Sequence, residues 1–140
     1  MPEEFILFNE FARKCDIFDM RVFNEIRTDI LDNFEDAFEQ FDVIVSPTAC
    51  CDPFPISNNG HADTIGGYKV NPKTDFISFA ETSLCNFIGY PAASVPAGLT
   101  NSGLPVGLQV IGKQYHDEDV FAVADKLEQI QPWRHLYPFM

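Results

Sequence analysis

A side-chain hydroxyl is a weak nucleophile until a neighbouring group, most often a base, activates it. Ser46, Ser78, Ser83 and Ser94 offer hydroxyls, and none has a paired Lys or His that the sequence identifies. His61 and Asp63 form a His-x-Asp pair suited to metal ligation or acid–base work. Two side chains without a third partner make a solvated loop histidine the expectation. Asp32 with Asp36, and Asp29 with Asn33, stand four residues apart and share a helix face. With no other ligands at hand they read as a solvated acidic face. Cys15, Cys50, Cys51 and Cys85 contain no CxxC pair, and adjacent Cys50-Cys51 is not usual zinc-ligand spacing. They read as cytosolic thiols. No metal and no cofactor is expected.

The elements that position these groups are organised around Leu84 to Gly112. Two apolar runs, Ala92–Val95 and Val106–Ile111, are each preceded by proline, which fits a strand's first position. Between them, Ala97 to Leu104 holds Gly98, Asn101, Ser102 and Gly103, all turn residues. Two neighbouring antiparallel strands joined by a turn are expected. Gly107 and Gly112 offer close approach to the backbone.

Elsewhere, Pro2, Glu3 and Glu4 suit a first helical turn, giving a helix from Glu3 to Lys14. Phe23, Ile26, Ile30, Phe34, Phe38 and Phe41 step by three or four, so one stripe runs along a helix from Asp19 to Gln40. Val43–Ser46 is a short buried strand stopped at Pro47. Thr48 follows at its C-terminal end, where open α/β sheets place ligands. A structural turn role is the expectation for it, with a pocket hydroxyl as the alternative. Ala49 to Thr74 carries loop signals throughout, and a loop that long is usually functional or mobile. Thr74 is a fair N-cap for a helix through Phe76, Phe79, Leu84 and Phe87 to Ile88, with Gly89 beyond its end. The last helix opens at His116 or Asp117, with Val120, Phe121, Ala124 and Leu127 as its apolar face. Pro132 stops it, and Trp133, Leu136, Tyr137 and Phe139 form an aromatic tail that docks on the body.

The ordered series Asn86, Gly89, Pro91, Ala92, Ser94, Pro96, Gly98, Gly103, Leu104, Pro105, Gly107, Gln109 and Gly112 resembles the C-terminal part of the amidase signature family. Phe41-Asp42-Val43 leading into Ser46-Pro47-Thr48 fits the same pattern, as do Asp117–Leu127 and Pro132-Trp133. The resemblance extends from about Asp19 to Tyr137. It implies an α/β fold: one partial domain over residues 1–140, helices packed on a small mixed sheet. It also implies cleavage of carboxamides by a serine nucleophile, a second serine and a lysine base. Those residues belong to a Gly/Ser-rich segment and a lysine before it. No such segment occurs here, so no catalytic residue carries over. What the resemblance implies for this chain is a pocket wall, with Thr48, Phe79, Asn86 and Phe87 as candidates. For Asn86 a structural hydrogen bond is the expectation, with direct ligand contact as the alternative.

The formal net charge of −12 over 140 residues argues against direct contact with a nucleic acid backbone or an anionic membrane. No apolar run approaches transmembrane length, and Met1 to Phe11 is acidic where a signal peptide would be basic. A cytoplasmic location is expected. Fourteen phenylalanines imply apolar surface that something must cover, so self-association is expected of the chain alone. Three functions stand: a segment of an amide hydrolase acting on a small amide substrate together with a missing N-terminal part, the glutamine-hydrolysing component of a tRNA-dependent amidotransferase, and a non-catalytic interaction module. The first is preferred, with no turnover from this chain alone.

Overall fold

Asp16 sets where the longest helix begins. In the computed structural model, which describes residues 3–58, 62–71 and 80–136, its carboxylate accepts from the backbone N–H of Phe18 at 2.7 Å and of Asp19 at 3.0 Å. The Asp19 carboxylate accepts from the Asp16 N–H in return, at 3.0 Å. This capping box satisfies donors that the first turn leaves orphaned. Helix α2 therefore spans Ile17–Phe38, slightly earlier than the expected Asp19–Gln40. It follows α1, Glu3–Ala12.

The remaining elements are β1 Val43–Pro47, β2 Thr64–Ile65, β3 Tyr68–Lys69, α3 Ala80–Ile88, β4 Ala92–Leu99, β5 Pro105–Gly112 and α4 Asp117–Ile130. The segment after β1 is not loop throughout. It holds a 3₁₀ turn at Ile56–Asn58 and the β2–β3 hairpin, which Gly66 and Gly67 turn at φ of 57° and 85°. Two positive-φ residues between paired strands are what a tight hairpin turn requires. The expected N-cap Thr74 and the helical residues Phe76 and Phe79 lie outside the described residues.

β4 and β5 pair antiparallel, as their turn residues indicate. Both strands run longer than the apolar runs suggest, and a bulge in β4 absorbs Ala97. Pro96 pairs with Gly107 and Gly98 with Val106, leaving Ala97 unmatched. β1 then joins the other side of β5, also antiparallel, giving the order β1-β5-β4. The small sheet is thus antiparallel in every pairing described, where a mixed one was expected. Strand direction comes from a partner far along the chain, which the local pattern of Val43–Pro47 does not encode.

Two helical layers sandwich this sheet. On one face Phe38, Cys85, Ile88, Tyr90 and Ile111 are buried together, with Ile30, Leu31, Phe34 and Ile44 packed against them. Phe38 and Tyr90 stack at 5.5 Å with their planes 5° apart, and the Tyr90 hydroxyl donates to Glu35. Each fully buried side chain of this size contributes about 1.5–3 kcal/mol. Of the expected α2 stripe, only Ile30, Phe34 and Phe38 are used. Phe23, Ile26 and Phe41 remain 38%, 48% and 61% exposed. α3 ends where Gly89 takes φ 80° and donates to the Cys85 carbonyl at 2.8 Å. That is the C′ role expected of it. Arg27 Nε ties α2 to this end by donating to the Phe87 carbonyl at 2.9 Å.

On the opposite face α4 lies against β4 and β5. Gly112 permits the contact: a Cβ there would stand 2.6 Å from Val120 Cγ2. Val120 is buried, while Phe121, expected on the same face, is 71% exposed. One residue is 100° around a helix, so Val120 and Phe121 cannot both point at the sheet.

Candidate functional site

The sheet face toward α2 and α3 changes chemistry along its strands. Ile44, Ile111 and Ala92 form one cross-strand row beneath the core. Two residues on, the row is Ser46, Gln109 and Ser94. Beyond it Thr48 donates its N–H to the Gly107 carbonyl at 3.0 Å. Side chains two apart on a strand share a face, so Ile44-Ser46-Thr48 reads as apolar giving way to polar.

Gln109 is 4% exposed. A buried amide needs partners, and its Nε2 donates to Ser46 Oγ at 3.2 Å and to the Glu81 carbonyl at 3.3 Å. Ser46 Oγ donates to the Pro47 carbonyl at 3.2 Å. Thr48 Oγ1 and Ser94 Oγ share a hydrogen bond of 2.6 Å. They meet over Gly107, where a Cβ would lie 2.6 Å from the first and 2.8 Å from the second. The Cys50 thiol donates to the Glu81 carboxylate, pinning the segment after β1 to the start of α3.

Two clefts open along the segment after β1, and Ser46, Thr48, Ser94 and Gln109 line neither of them. One, of about 490 Å³, is lined by Pro47, Cys50, Cys51, Phe54, Val106 and Gly107 among others. The second, of about 400 Å³, shares Cys50, Cys51, Asp52 and Phe54 and continues along Ala62 to Gly66. The hydroxyls of Ser46, Thr48 and Ser94 are engaged with one another, a carbonyl and Gln109, not with a lysine. The strip can donate and accept hydrogen bonds toward a polar ligand. Among the described residues, no lysine or histidine is hydrogen-bonded to these three hydroxyls.

Of the sequence candidates, Thr48 belongs to this strip. Phe79 lies outside the described residues. Asn86 is exposed on α3, and Phe87, 43% exposed, sits at the helix end held by Arg27. Both stand more than a turn along α3 from Glu81, outside the hydrogen-bonded strip. His61 is likewise outside the described residues, and Asp63 is exposed, its carbonyl accepting from the Val70 N–H at 2.9 Å. The Asn33 side chain donates to the Asp29 carbonyl at 2.6 Å. Among the described residues no group of three or more His, Cys, Asp or Glu is arranged to hold a metal ion. The roles of Gln109, Glu81 and Cys50 escaped the sequence reading. The available signal was a polar residue at the same alternating position of each apolar strand.

This chain belongs to the amidase family: the family's model matches residues 11–121. Its relatives include a Glutamyl-tRNA(Gln) amidotransferase subunit of Thermodesulfovibrio yellowstonii, 38% identical over 117 residues, covering 83% of this chain and 22% of that protein. The corresponding subunit of Geobacillus thermodenitrificans is 39% identical over 116 residues, again covering 83% and 22%. Among solved structures, a bacterial aryl acylamidase of the amidase signature enzymes superposes with a TM-score of 0.84 at 31% identity, over 98% of this chain and 28% of that one. The Glutamyl-tRNA(Gln) amidotransferase subunit of Thermotoga maritima gives 0.59 at 28% identity, over 92% and 25%. The chain therefore spans about a fifth of the length of the curated relatives it matches. No helix among the described residues is long and apolar enough to cross a membrane.

Proposed function

We propose that this chain forms one wall of the substrate pocket in an amidase that converts a carboxamide to a carboxylate plus ammonia or an amine. The observation that carries the reading is the Thr48–Ser94 hydroxyl pair held over Gly107, a residue that also lines the cleft of about 490 Å³. Amide cleavage needs an activated serine and donors for the tetrahedral oxyanion. The Gly/Ser-rich segment and lysine that the family uses do not occur in these 140 residues. In this reading the chain supplies strands, a floor of polar groups that includes Thr48, and the wall residues Phe79, Asn86 and Phe87. Turnover requires the nucleophile from elsewhere. A cytoplasmic location goes with this reading and is supported by four cysteines that are all thiols.

A second reading, the glutamine-hydrolysing component of a tRNA-dependent amidotransferase, is supported by the 38% identity to one such protein. The net charge of −12 leaves RNA contact to a partner in that case.

The test is co-expression with an amidase segment carrying the Gly/Ser-rich motif and its lysine. Co-purification shows assembly, and a panel of acetamide, benzamide and glutamine reads activity. Hydrolysis of simple amides by the assembled pair is expected. Glutamine as the sole substrate would select the second reading. An assembled pair that hydrolyses none of the three would overturn both.

A further inference from the structure

Cys50 and Cys51 are neighbours in the irregular segment after β1, both half-buried and both thiols. Both line both clefts, as do Asp52 and Phe54. Cys50 Sγ also donates to the Glu81 carboxylate at the start of α3. We propose that Cys50 and Cys51 form a reversible vicinal thiol–disulfide site, closed by a peroxide and opened by a dithiol reductant. The proposal does not rest on the amidase reading.

The chemistry balances within these groups and the peroxide. The Cys51 sulfur attacks a peroxide oxygen, the O–O bond breaks, water leaves, and Cys51 becomes a sulfenic acid. The Cys50 sulfur then attacks the Cys51 sulfur. An S–S bond forms, the S–O bond breaks, and a second water departs with the Cys50 proton. The Glu81 carboxylate already accepts that hydrogen and so relays the proton to the leaving oxygen. Two thiols are oxidised by two electrons and one peroxide is reduced to two waters.

Geometry explains why closure is reversible. Cα atoms of adjacent residues are at most about 3.8 Å apart. Ordinary disulfides prefer a Cα separation of about 4.4–6.8 Å. A bridge formed here is strained, and strained disulfides have more oxidising potentials and reopen readily. It acts as a switch and not as a staple. Closure also takes Cys50 Sγ off Glu81.

Mass spectrometry of the full chain tests this. The tryptic peptide Thr28 to Lys69 contains Cys50 and Cys51 and neither Cys15 nor Cys85. After hydrogen peroxide, N-ethylmaleimide and digestion, it is expected to be lighter by two hydrogens, unblocked, and restored by dithiothreitol. Both thiols blocked at doses that oxidise Cys15, a stable sulfinic acid at either, or a link to another peptide would overturn the proposal. Glu81→Gln is expected to slow ring closure several-fold while sparing the first oxidation. Equal closure rates would remove Glu81 as the proton acceptor.

Discussion

Thr48 Oγ1 and Ser94 Oγ meet at 2.6 Å, joining the end of one edge strand to the middle of the other. They do so across the central strand, because Gly107 has no side chain to separate them. This contact ties together the three strands at the polar end of the sheet.

Gly107→Ala should therefore cost about 1–3 kcal/mol, the range for forcing extra atoms into a packed site. A urea-denaturation midpoint measures it. The cost should shrink when Thr48→Ala and Ser94→Ala are present, because neighbouring sites couple. Strict additivity would show that the glycine is not there for the hydroxyls.

Tyr90 predicts an alkaline limit. Burial, and then the hydrogen bond and negative charge of Glu35, push its phenol upward from the ordinary value of 10.0. The unfolded chain releases this proton near pH 10 while the folded chain keeps it, so the folded state binds more protons above that pH. Stability from this group is complete below pH 10 and falls as pH rises beyond it. Tyr90→Phe should remove that part of the decline and cost about 1–2 kcal/mol at neutral pH. Stability measured from pH 8 to 11 checks both.

Asp16→Ala removes the acceptor of two first-turn N–H groups in α2. A loss of about 1 kcal/mol is expected, with Asp16→Asn retaining most of the stability. Thermal melts of the two variants distinguish a cap from a general charge effect.

The start of α2 is apolar and open: Ile17, Phe18 and Met20 are 77%, 70% and 51% exposed. We expect the isolated chain to associate through this face as its concentration rises. Phe18→Glu places a negative charge in the first turn, where the helix dipole favours it, and should reduce association without loss of helix. Light scattering across a dilution series reads the outcome. A constant monomer mass at all concentrations would contradict it.

Much of this architecture is legible in the sequence because it depends on near neighbours. The three-four spacing of Ile30, Phe34 and Phe38, the turn at Gly103 and the stop at Gly89 are local. So is the promise of close approach at Gly107 and Gly112. The Asp16 capping box is local too, yet Asp19 reads as the helix start when it is the other half of the box. The rest needed the partner to be known. Nothing near Phe23 or Ile26 says that their half of the stripe stays uncovered. Nothing near Val43 gives the direction of β5. Ser46, Gln109 and Ser94 become one row only when the register of three strands is fixed, and that row is where the candidate site lies.

Ammonia release from acetamide and benzamide by the purified chain on its own is the sharpest test of the wall assignment. The expected rate equals a protein-free blank and is unchanged by Ser94→Ala. Release above the blank that disappears with any one serine would show that these residues carry their own nucleophile, and the assignment would fail.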